Sequence, residues 1–388
     1  WRQMRDFFYA SNMGGIDWDR VRKDYEVLLP YVNHRFDLTY IIGEMISELN
    51  TGHAYVGGGD APRAERIKLG LLGADIVKDE ASKYFQVKNI LKGQNWNRAL
   101  RSPLTEINVN VNEGDYILEV NGKPTNEVND IYSLLVGTAG KQVTLTVNSK
   151  PEMTGSRKTV VVPIEEEQSL VYFNWVHGNI EKVSKASNGK VGYIHIPDMS
   201  VEGLNQFVKY FYPQLKKEAL IIDVRGNGGG NVSPMIIERL QRTVAMIDKA
   251  RNTSINPDPS GLHHGPKVCL LDEFSASDGD IFPFRFRHYN LGKLVGKRSW
   301  GGTVGIRGTL PIIDGGVLNR PEFASYDVEG KKWAIEGYGV DPDIFVDNDP
   351  VKEFLGIDEQ LNKGIEVVLN ELKNWKPLPP PPPYPDKR

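Results

Sequence analysis

The chain has 388 residues, of which 40% are hydrophobic and 25% are charged, a balance typical of folded globular proteins. This length exceeds one ordinary core and predicts two or three domains of roughly 100–200 residues each. The formal net charge of −3 gives no reason to expect a nucleic-acid or anionic-membrane partner. No apolar run approaches the ~20 residues that span a bilayer. The single cysteine, Cys269, excludes an internal disulfide and is predicted to be a core residue because its neighbours are apolar.

The first residues already follow an amphipathic pattern, and the chain shows neither an initiator methionine nor a signal peptide. We therefore expect a protein cut from a longer precursor, which leaves its compartment open. Residues 1–61 are predicted to be helical, with Asp17 capping a helix over 18–29 and a second helix over 38–49. The second helix ends in a turn, so His53 is expected at the start of an extended segment.

Residues 62–165 consist of short β-rich runs separated by turn signals. The Asn121-Gly122 pair predicts a tight hairpin turn after a strand, and residues 128–136 predict a short helix. The pattern Gly114-Asp-x-Ile-Leu-x-Val-Asn-Gly122 is similar to that of PDZ domains. That similarity implies a groove that binds an extended peptide as an added strand. A small β-barrel without a ligand is the alternative interpretation.

Residues 166–376 alternate strands with helices, which predicts an α/β core with ligands at the carboxyl ends of its strands. The fold class is therefore a multidomain chain with α+β and α/β parts. Residues 377–388 are rich in proline and are expected to form an extended tail. The predicted strands of the α/β core are 191–196, 219–224 and 267–271, and its predicted helices are 201–212, 231–240, 358–372 and one that begins near Ser277.

Two loops that follow buried strands have the composition of an active site. The first, residues 223–230, ends in Gly228–Gly230, whose N–H groups can converge on an anion. It lacks the Lys-Ser/Thr ending of a nucleotide phosphate loop, so nucleotide binding is disfavoured. The second, residues 272–282, places Ser277 at the start of a helix, where free N–H groups stabilise negative charge. The alternative is that Ser275 or Ser277 only caps that helix.

Further motifs accompany these loops along nearly the whole chain. Together they resemble the catalytic core of the tricorn proteases, relatives of the tail-specific proteases. The resemblance implies a helical N-terminal part, a PDZ-like β-barrel domain and a crotonase-like (ClpP-like) α/β catalytic core, without a metal or cofactor. The motifs are Arg5-Asp6-Phe7-Phe8-Tyr9, Asp17-Trp18, Gly52-His53-Ala54-Tyr55-Val56, Gly228-Gly229-Gly230-Asn231-Val232, Ser277-Asp278-Gly279-Asp280-Ile281-Phe282, Trp300-Gly301-Gly302 and Gly339-Val340-Asp341-Pro342-Asp343.

The resemblance also implies the reacting groups. Ser277 would be the nucleophile, His53 would take its proton, and Glu336 would orient the histidine. In tricorn proteases a serine precedes the histidine and bridges it to the glutamate, whereas this chain has Gly52 at that position. Glu336 can then reach His53 directly, through Thr51 or through water.

The remaining site residues are assigned in the same way. The backbone N–H groups of Asp278 and Gly230 would form the oxyanion hole, with Gly230 preferred over Gly229. The same resemblance implies that Gly228 and Gly229 contact substrate. Asp248 stands roughly where an acidic residue lines the primary specificity pocket of tricorn. Substrates would then carry Lys or Arg before the cleaved bond, although a solvated surface carboxylate is nearly as good an explanation.

The implied activity is that of a serine endopeptidase or an oligopeptide-trimming protease acting on unfolded chains. The tail-specific relatives use a Ser–Lys dyad, and Gly302 occupies the position of their lysine, which favours the histidine mechanism here. Tricorn proteases carry β-propeller domains ahead of this region and assemble into a hexameric ring, so self-association is expected. Their cytoplasmic location and a periplasmic one both stay open. The alternative function, which Gly52 favours, is a catalytically vestigial PDZ-containing scaffold that only binds peptides.

Overall fold

The computed structural model describes residues 1–62, 64–308 and 310–386. The chain divides into two compact units. We call the described residues between 64 and 179 the inserted unit, and Trp1–Pro62 together with the chain from Ile180 onward the core unit. Within the described part of the chain, no helix combines the length and apolar character that a membrane span requires.

The regular elements of the described residues are connected by loops and 3-10 turns. The α-helices are α1 (Arg2–Phe7), α2 (Trp18–Glu26), α3 (Arg35–Ser47), α4 (Gln168–Ala186), α5 (Val201–Phe211), α6 (Ser233–Gln241), α7 (Asp278–His288), α8 (Pro350–Phe354) and α9 (Glu359–Leu372). The strands are β1 (Tyr55–Gly57), β2 (Ala74–Lys78), β3 (Phe85–Ile90), β4 (Tyr116–Val120), β5 (Lys123–Pro124), β6 (Val143–Asn148), β7 (Arg157–Val161), β8 (Val191–His195), β9 (Ala219–Asp223), β10 (Met246–Asp248), β11 (Asn256–Asp258), β12 (Lys267–Leu271), β13 (Gly292–Gly296), β14 (Leu310–Pro311), β15 (Val317–Asn319) and β16 (Ile344–Phe345).

The inserted unit is built on an antiparallel sheet in the order β2-β3-β4-β6-β7, with β5 paired to β4. Asn121 and Gly122 both have positive φ values, 51° and 77°, and form the predicted two-residue hairpin turn between β4 and β5. The helix predicted over 128–136 is a shorter 3-10 turn, Ile131–Leu135. The alternating apolar residues of the strands form one buried core, which includes Phe85, Val87, Ile117, Val120, Leu145 and Val147.

The core unit contains a five-stranded parallel sheet in the order β16-β13-β12-β9-β8. Every residue of β8, β9 and β12 is buried, as expected for parallel strands covered on both faces. The strands predicted at these three places are confirmed to within one residue at their ends. Cys269 lies in β12 and is fully buried, as predicted for a core residue. Because parallel strands end at the same edge, the loops after β9 and β12 are neighbours there.

The N-terminal helices of the core unit pack on one another around Met4, Trp18 and Ile46, with Leu318 of β15 in the same cluster. The predicted cap of α2 is confirmed, because the Asp17 carboxylate accepts a hydrogen bond from the backbone of Arg20. Helix α3 begins three residues before the prediction, because a capping box at its first turn extends it. Strand β1 follows directly and pairs antiparallel with β15, which anchors the turn that contains His53.

A buried ion network ties the end of β9 to the start of α9. The Arg225 guanidinium donates to Asp223, to Asp358, which caps α9, and to Gln360, over distances of 2.7–3.1 Å. Burial opposes ionisation of Asp223, but Arg225 holds the pKa of that carboxyl below its ordinary value. The network therefore holds the first residues of the glycine loop against the start of α9.

We predict that Arg225→Ala lowers the free energy of unfolding by about 3–5 kcal/mol, because it leaves the fully buried Asp223 carboxylate without its cation. Urea denaturation measures this change. Lys363→Ala is the control, since it removes an exposed ion pair to Glu366 and should change stability by only ~0–1 kcal/mol. Similar losses for the two variants would contradict the assignment of the network as a structural tie.

Candidate active site

Ser277 lies at a sharp turn between β12 and α7. Its backbone has φ 57° and ψ −121°, a strained conformation for a residue with a Cβ and one that recurs where a nucleophile is presented between a strand and a helix. Ser277 occupies the N-cap position, yet its side chain makes no capping bond. Among the described residues its hydroxyl has no hydrogen-bond partner. The interpretation of Ser277 as a helix cap is therefore wrong.

Ser275, two residues earlier, has a structural role instead. Its hydroxyl donates to the carbonyl of Val224 at 2.9 Å and accepts from the backbone N–H of Asp272. It therefore ties the loop after β12 to the end of β9. Since Ser275 is fully buried and bonded, it is a support for the turn and not a second candidate nucleophile.

The glycine loop after β9 lies against Ser277 and is organised by Asn227, which is completely buried. The Asn227 amide donates to Ile196 O at 2.9 Å and its carbonyl oxygen accepts from Gly229 N at 3.0 Å. Gly229 has φ 97°, and a Cβ added there would lie 2.5 Å from Ser277 Cβ. Only glycine permits this approach.

Two backbone N–H groups remain available beside Ser277. Asp278 is the first residue of α7, and neither its N–H nor that of Gly230 donates a hydrogen bond to another described residue. The N–H of Gly229 is different, because Asn227 already occupies it. The Asp278 carboxylate accepts from the backbone of Ser233 at 2.9 Å, which fixes the start of α7. The arrangement suits an oxyanion, with Gly230 rather than Gly229 as the donor from the loop.

The Glu336 side chain contacts the histidine turn by accepting a hydrogen bond from a backbone N–H group. One carboxylate oxygen accepts from Gly52 N at 3.1 Å, and the other accepts from Thr303 N at 2.5 Å and Val304 N at 2.8 Å. The Thr51 hydroxyl instead donates to Leu49 O. Of the open routes from Glu336 to His53, the one through the Thr51 side chain is therefore not used.

The imidazole of His53 is half-buried and electrostatically coupled to Glu336. Burial lowers the pKa of His53 below its ordinary value, while the Glu336 carboxylate and the Val304 carbonyl partly oppose this by favouring the protonated ring. The Nδ1 atom is buried without a well-aligned hydrogen bond to any described residue. His53 is therefore neutral at pH 7, which is the state that a general base needs.

One loop contacts both the serine turn and the histidine turn; we call residues Trp300–Val304 the bridging loop. Its first N–H, that of Trp300, donates to Ser275 O at 2.9 Å, and the Trp300 ring lies edge-on to the His53 ring at 6.3 Å between centroids. A Cβ placed on Gly52 would lie only 2.9 Å from the Cα of Gly302. The bridging loop therefore contacts the serine turn at Ser275 and the histidine turn at Gly52 and His53.

Asp248 stands apart from these groups. It is exposed on the β10–β11 hairpin, and no hydrogen bond or ion pair among the described residues joins it to Ser277, His53 or Glu336. The sequence analysis singles out Glu336 and the glycine loop but gives Asn227 no role. The available signal is that Asn227 follows a buried strand and directly precedes three consecutive glycines.

We predict that His53 titrates below its usual value of about 6.5, and that Glu336→Gln lowers its pKa further, because the substitution removes the charge that stabilises the imidazolium. NMR titration of the seven histidines, with His53 assigned through His53→Gln, measures both values. Glu119→Gln, in the inserted unit, is the control and should leave His53 unchanged. A raised or unaltered His53 pKa in Glu336→Gln would contradict this coupling.

We also predict that Gly52→Ser lowers the free energy of unfolding by about 1–3 kcal/mol, because its Cβ forces the bridging loop to move. Gly57→Ser is a matched control, since a Cβ at that position meets no atom within 4 Å. Thermal and urea unfolding compare the two. Equal stability of the two variants would show that Gly52 is not packed against the loop.

Three family models match the chain. One described as "Peptidase family S41" matches residues 190–346, one described as "Tricorn protease PDZ domain" matches residues 70–166, and one described as "Tricorn protease C1 domain" matches residues 1–47. The first contains the glycine loop and Ser277, and the second lies in the inserted unit.

Known proteins resemble the chain along almost its whole length. The tricorn protease of Thermoplasma volcanium is 34% identical over 381 residues, which are 97% of this chain and 36% of that protein. Tricorn protease homolog 1 of Streptomyces coelicolor is 37% identical over 98% of this chain and 35% of its own length. A crystal structure of the tricorn protease superposes with a TM-score of 0.89 at 32% identity, covering 96% of this chain and 36% of that one. This chain thus spans about a third of the length of these relatives. It belongs to the tricorn protease family, and it contains a PDZ domain of the tricorn type and a serine-type peptidase domain of family S41.

Proposed function

We propose that this chain is the catalytic part of a serine endopeptidase or oligopeptide-trimming protease, with Ser277 as nucleophile and His53 as general base. The observation that carries the proposal is the strained Ser277 turn, whose hydroxyl is unbonded and stands beside two unused backbone N–H groups. A helix cap would need none of these features, whereas a hydroxyl that is free to meet a base, beside two free N–H donors, suits acyl transfer. The names of the relatives, which are proteases, support the same reaction class.

The reaction follows from these positions. His53 accepts the hydroxyl proton as Ser277 Oγ attacks the peptide carbonyl carbon, and the carbonyl oxygen gains the negative charge. The N–H groups of Gly230 and Asp278 donate to that oxygen. The tetrahedral intermediate collapses as protonated His53 gives its proton to the leaving amine, so the C–N bond breaks and an acyl-enzyme remains. A water molecule, deprotonated by His53, then attacks the ester carbonyl. The ester C–O bond breaks as His53 returns the proton to Ser277 Oγ, which releases the acid product and restores the serine.

Glu336 acts on this cycle without a direct bond to the imidazole. Its carboxylate stabilises the imidazolium that forms when Ser277 loses its proton, and its bonds to Gly52 N and to the bridging loop hold the ring in place. We infer that this backbone route replaces the serine bridge implied by the family pattern.

The oxyanion donors contribute separately. Loss of one such donor raises the barrier by roughly 2.7–4 kcal/mol.

The proposed substrates are unfolded polypeptides or oligopeptides. The match to a tricorn PDZ domain supports binding of an extended peptide strand, and we assign substrate contacts to Gly228 and Gly229 beside the oxyanion site. Asp248 remains the proposed source of a preference for Lys or Arg before the cleaved bond. We further propose that the parallel sheet with its helices is a crotonase-like (ClpP-like) core and that the protein self-associates, as the family resemblance implies.

A fluorophosphonate probe tests the nucleophile. We expect the wild-type chain to be labelled at Ser277, identified by mass spectrometry. Ser277→Ala should abolish this labelling because it removes the nucleophile, and His53→Ala should slow it by about 10²-fold or more, because general-base activation is worth that much. Ser275→Ala is the neighbouring control and should still be labelled at Ser277, since its hydroxyl only supports the turn.

Wild-type protein that stays unlabelled under conditions that label trypsin would refute the hydrolase proposal. If that same protein binds peptides with an affinity that survives Ser277→Ala, the vestigial scaffold is the correct function. Labelling at a serine other than Ser277 would refute the assignment of the nucleophile.

A further inference from the structure

Asp280 is a buried carboxylate beside the site that the proposed mechanism does not use. It lies in the first turn of α7, three residues after Ser277, and none of its surface is exposed. Its Oδ1 atom accepts a hydrogen bond from the N–H of Gly301 at 2.7 Å. Its Oδ2 atom is buried without a well-aligned partner among the described residues. Burial raises the pKa of the Asp280 carboxyl, and burying such a group costs free energy that its hydrogen bonds only partly offset.

The bond from Gly301 has a counterpart at the other end of the bridging loop. There, Glu336 accepts from the N–H groups of Thr303 and Val304, and also from Gly52, the residue before His53. Asp280 therefore connects the loop to the helix that begins at Ser277. Glu336 connects the same loop to the turn that carries the base.

The loop between these two carboxylates has little freedom to adjust. Gly301 has φ 90°, and a Cβ there would lie 2.5 Å from Gly339 N, so its backbone is packed closely against Tyr338 and Gly339. The next residue, Gly302, lies against Gly52, since a Cβ on Gly52 would be 2.9 Å from the Gly302 Cα, and a Cβ on Gly302 would be 2.2 Å from the Trp300 ring. A displacement of the loop at Gly301 is thus transmitted to the histidine turn.

We propose that Asp280 is a positioning residue: through Gly301 and the bridging loop, it sets the place of His53 relative to Ser277. This inference rests on the proposed function. Asp280 does not touch the reacting atoms. It fixes one end of a rigid segment, and the other end places the base.

The proposal predicts a difference between two substitutions. Asp280→Asn keeps an oxygen acceptor for Gly301 N, whereas Asp280→Ala removes it. We expect Asp280→Ala to lower kcat for a peptide substrate by about 10²-fold, the effect of a displacement of about 1 Å, with a much smaller change in KM. Asp280→Asn should recover most of that loss. Rescue by the conservative variant separates positioning from a need for the charge itself.

A second readout does not depend on turnover. The titratable groups beside the His53 ring are Glu336 and Tyr55, and burial is the largest influence on its pKa. Release of the bridging loop admits water to the ring, so NMR titration of Asp280→Ala should show the His53 pKa rise toward 6.5. Asp343→Ala is the structural control. It removes a carboxylate that accepts from Leu294 N at 2.8 Å, and should leave the His53 pKa and kcat unchanged.

The outcomes separate this inference from the function on which it rests. A folded Asp280→Ala that keeps the wild-type kcat and the wild-type His53 pKa overturns the positioning role while the wild-type enzyme remains active. Loss of activity that only follows the unfolded fraction, with an unchanged His53 pKa, overturns it as well. An inactive wild type refutes the hydrolase proposal, and the His53 titration then still decides whether Asp280 positions the ring.

Discussion

The geometry of the site depends on one half-buried carboxylate that accepts hydrogen bonds from backbone N–H groups in two distant parts of the chain. Glu336 accepts hydrogen bonds from Gly52, Thr303 and Val304, so a single charged side chain joins the histidine turn to the bridging loop. Hydrogen bonds to an ionised acceptor are stronger than neutral ones and hold their donors in a narrow geometry. The packing of Gly52 on Gly302 and of His53 on Trp300 adds to this contact between the histidine turn and the bridging loop.

Three residues at the site have strained backbone conformations. Ser277, His53 and Ile335, the residue before Glu336, are non-glycine residues with positive φ values of 57°, 63° and 47°. Each such residue costs of order 1–3 kcal/mol and persists only if its surroundings determine its conformation. Those surroundings are the buried network around Arg225, the Asn227 amide, and the Asp280 and Glu336 carboxylates that bond to the bridging loop. The rest of the core unit can therefore be understood as a scaffold that keeps the proposed nucleophile, base and acid in unfavourable local conformations.

Prediction from the sequence succeeded where a local pattern is sufficient and failed where packing overrides it. Strand β12 and the Asn121-Gly122 turn were predicted correctly because burial and turn chemistry are local properties. The 19-residue helix α4 was missed, since Gly178 and several aromatic residues weaken its helical signal. The alternative that Ser277 is a cap could not be rejected from residue statistics, because a capping serine and a nucleophile at a helix start occur in the same sequence context.

By itself, the sequence determined the family, the order of its parts and the residue types available for chemistry, because motifs with fixed spacing carry that information. Only the tertiary structure decided that Gly230 and not Gly229 keeps a free N–H, that Glu336 approaches the histidine turn through the backbone of Gly52, and that Asp280 and Glu336 hold opposite ends of one loop. The bond from Gly52 to Glu336 joins residues 284 positions apart, and the bond from Gly301 to Asp280 joins residues 21 positions apart. Such pairings are settled by the packing of the sheet and its loops, which no local pattern encodes.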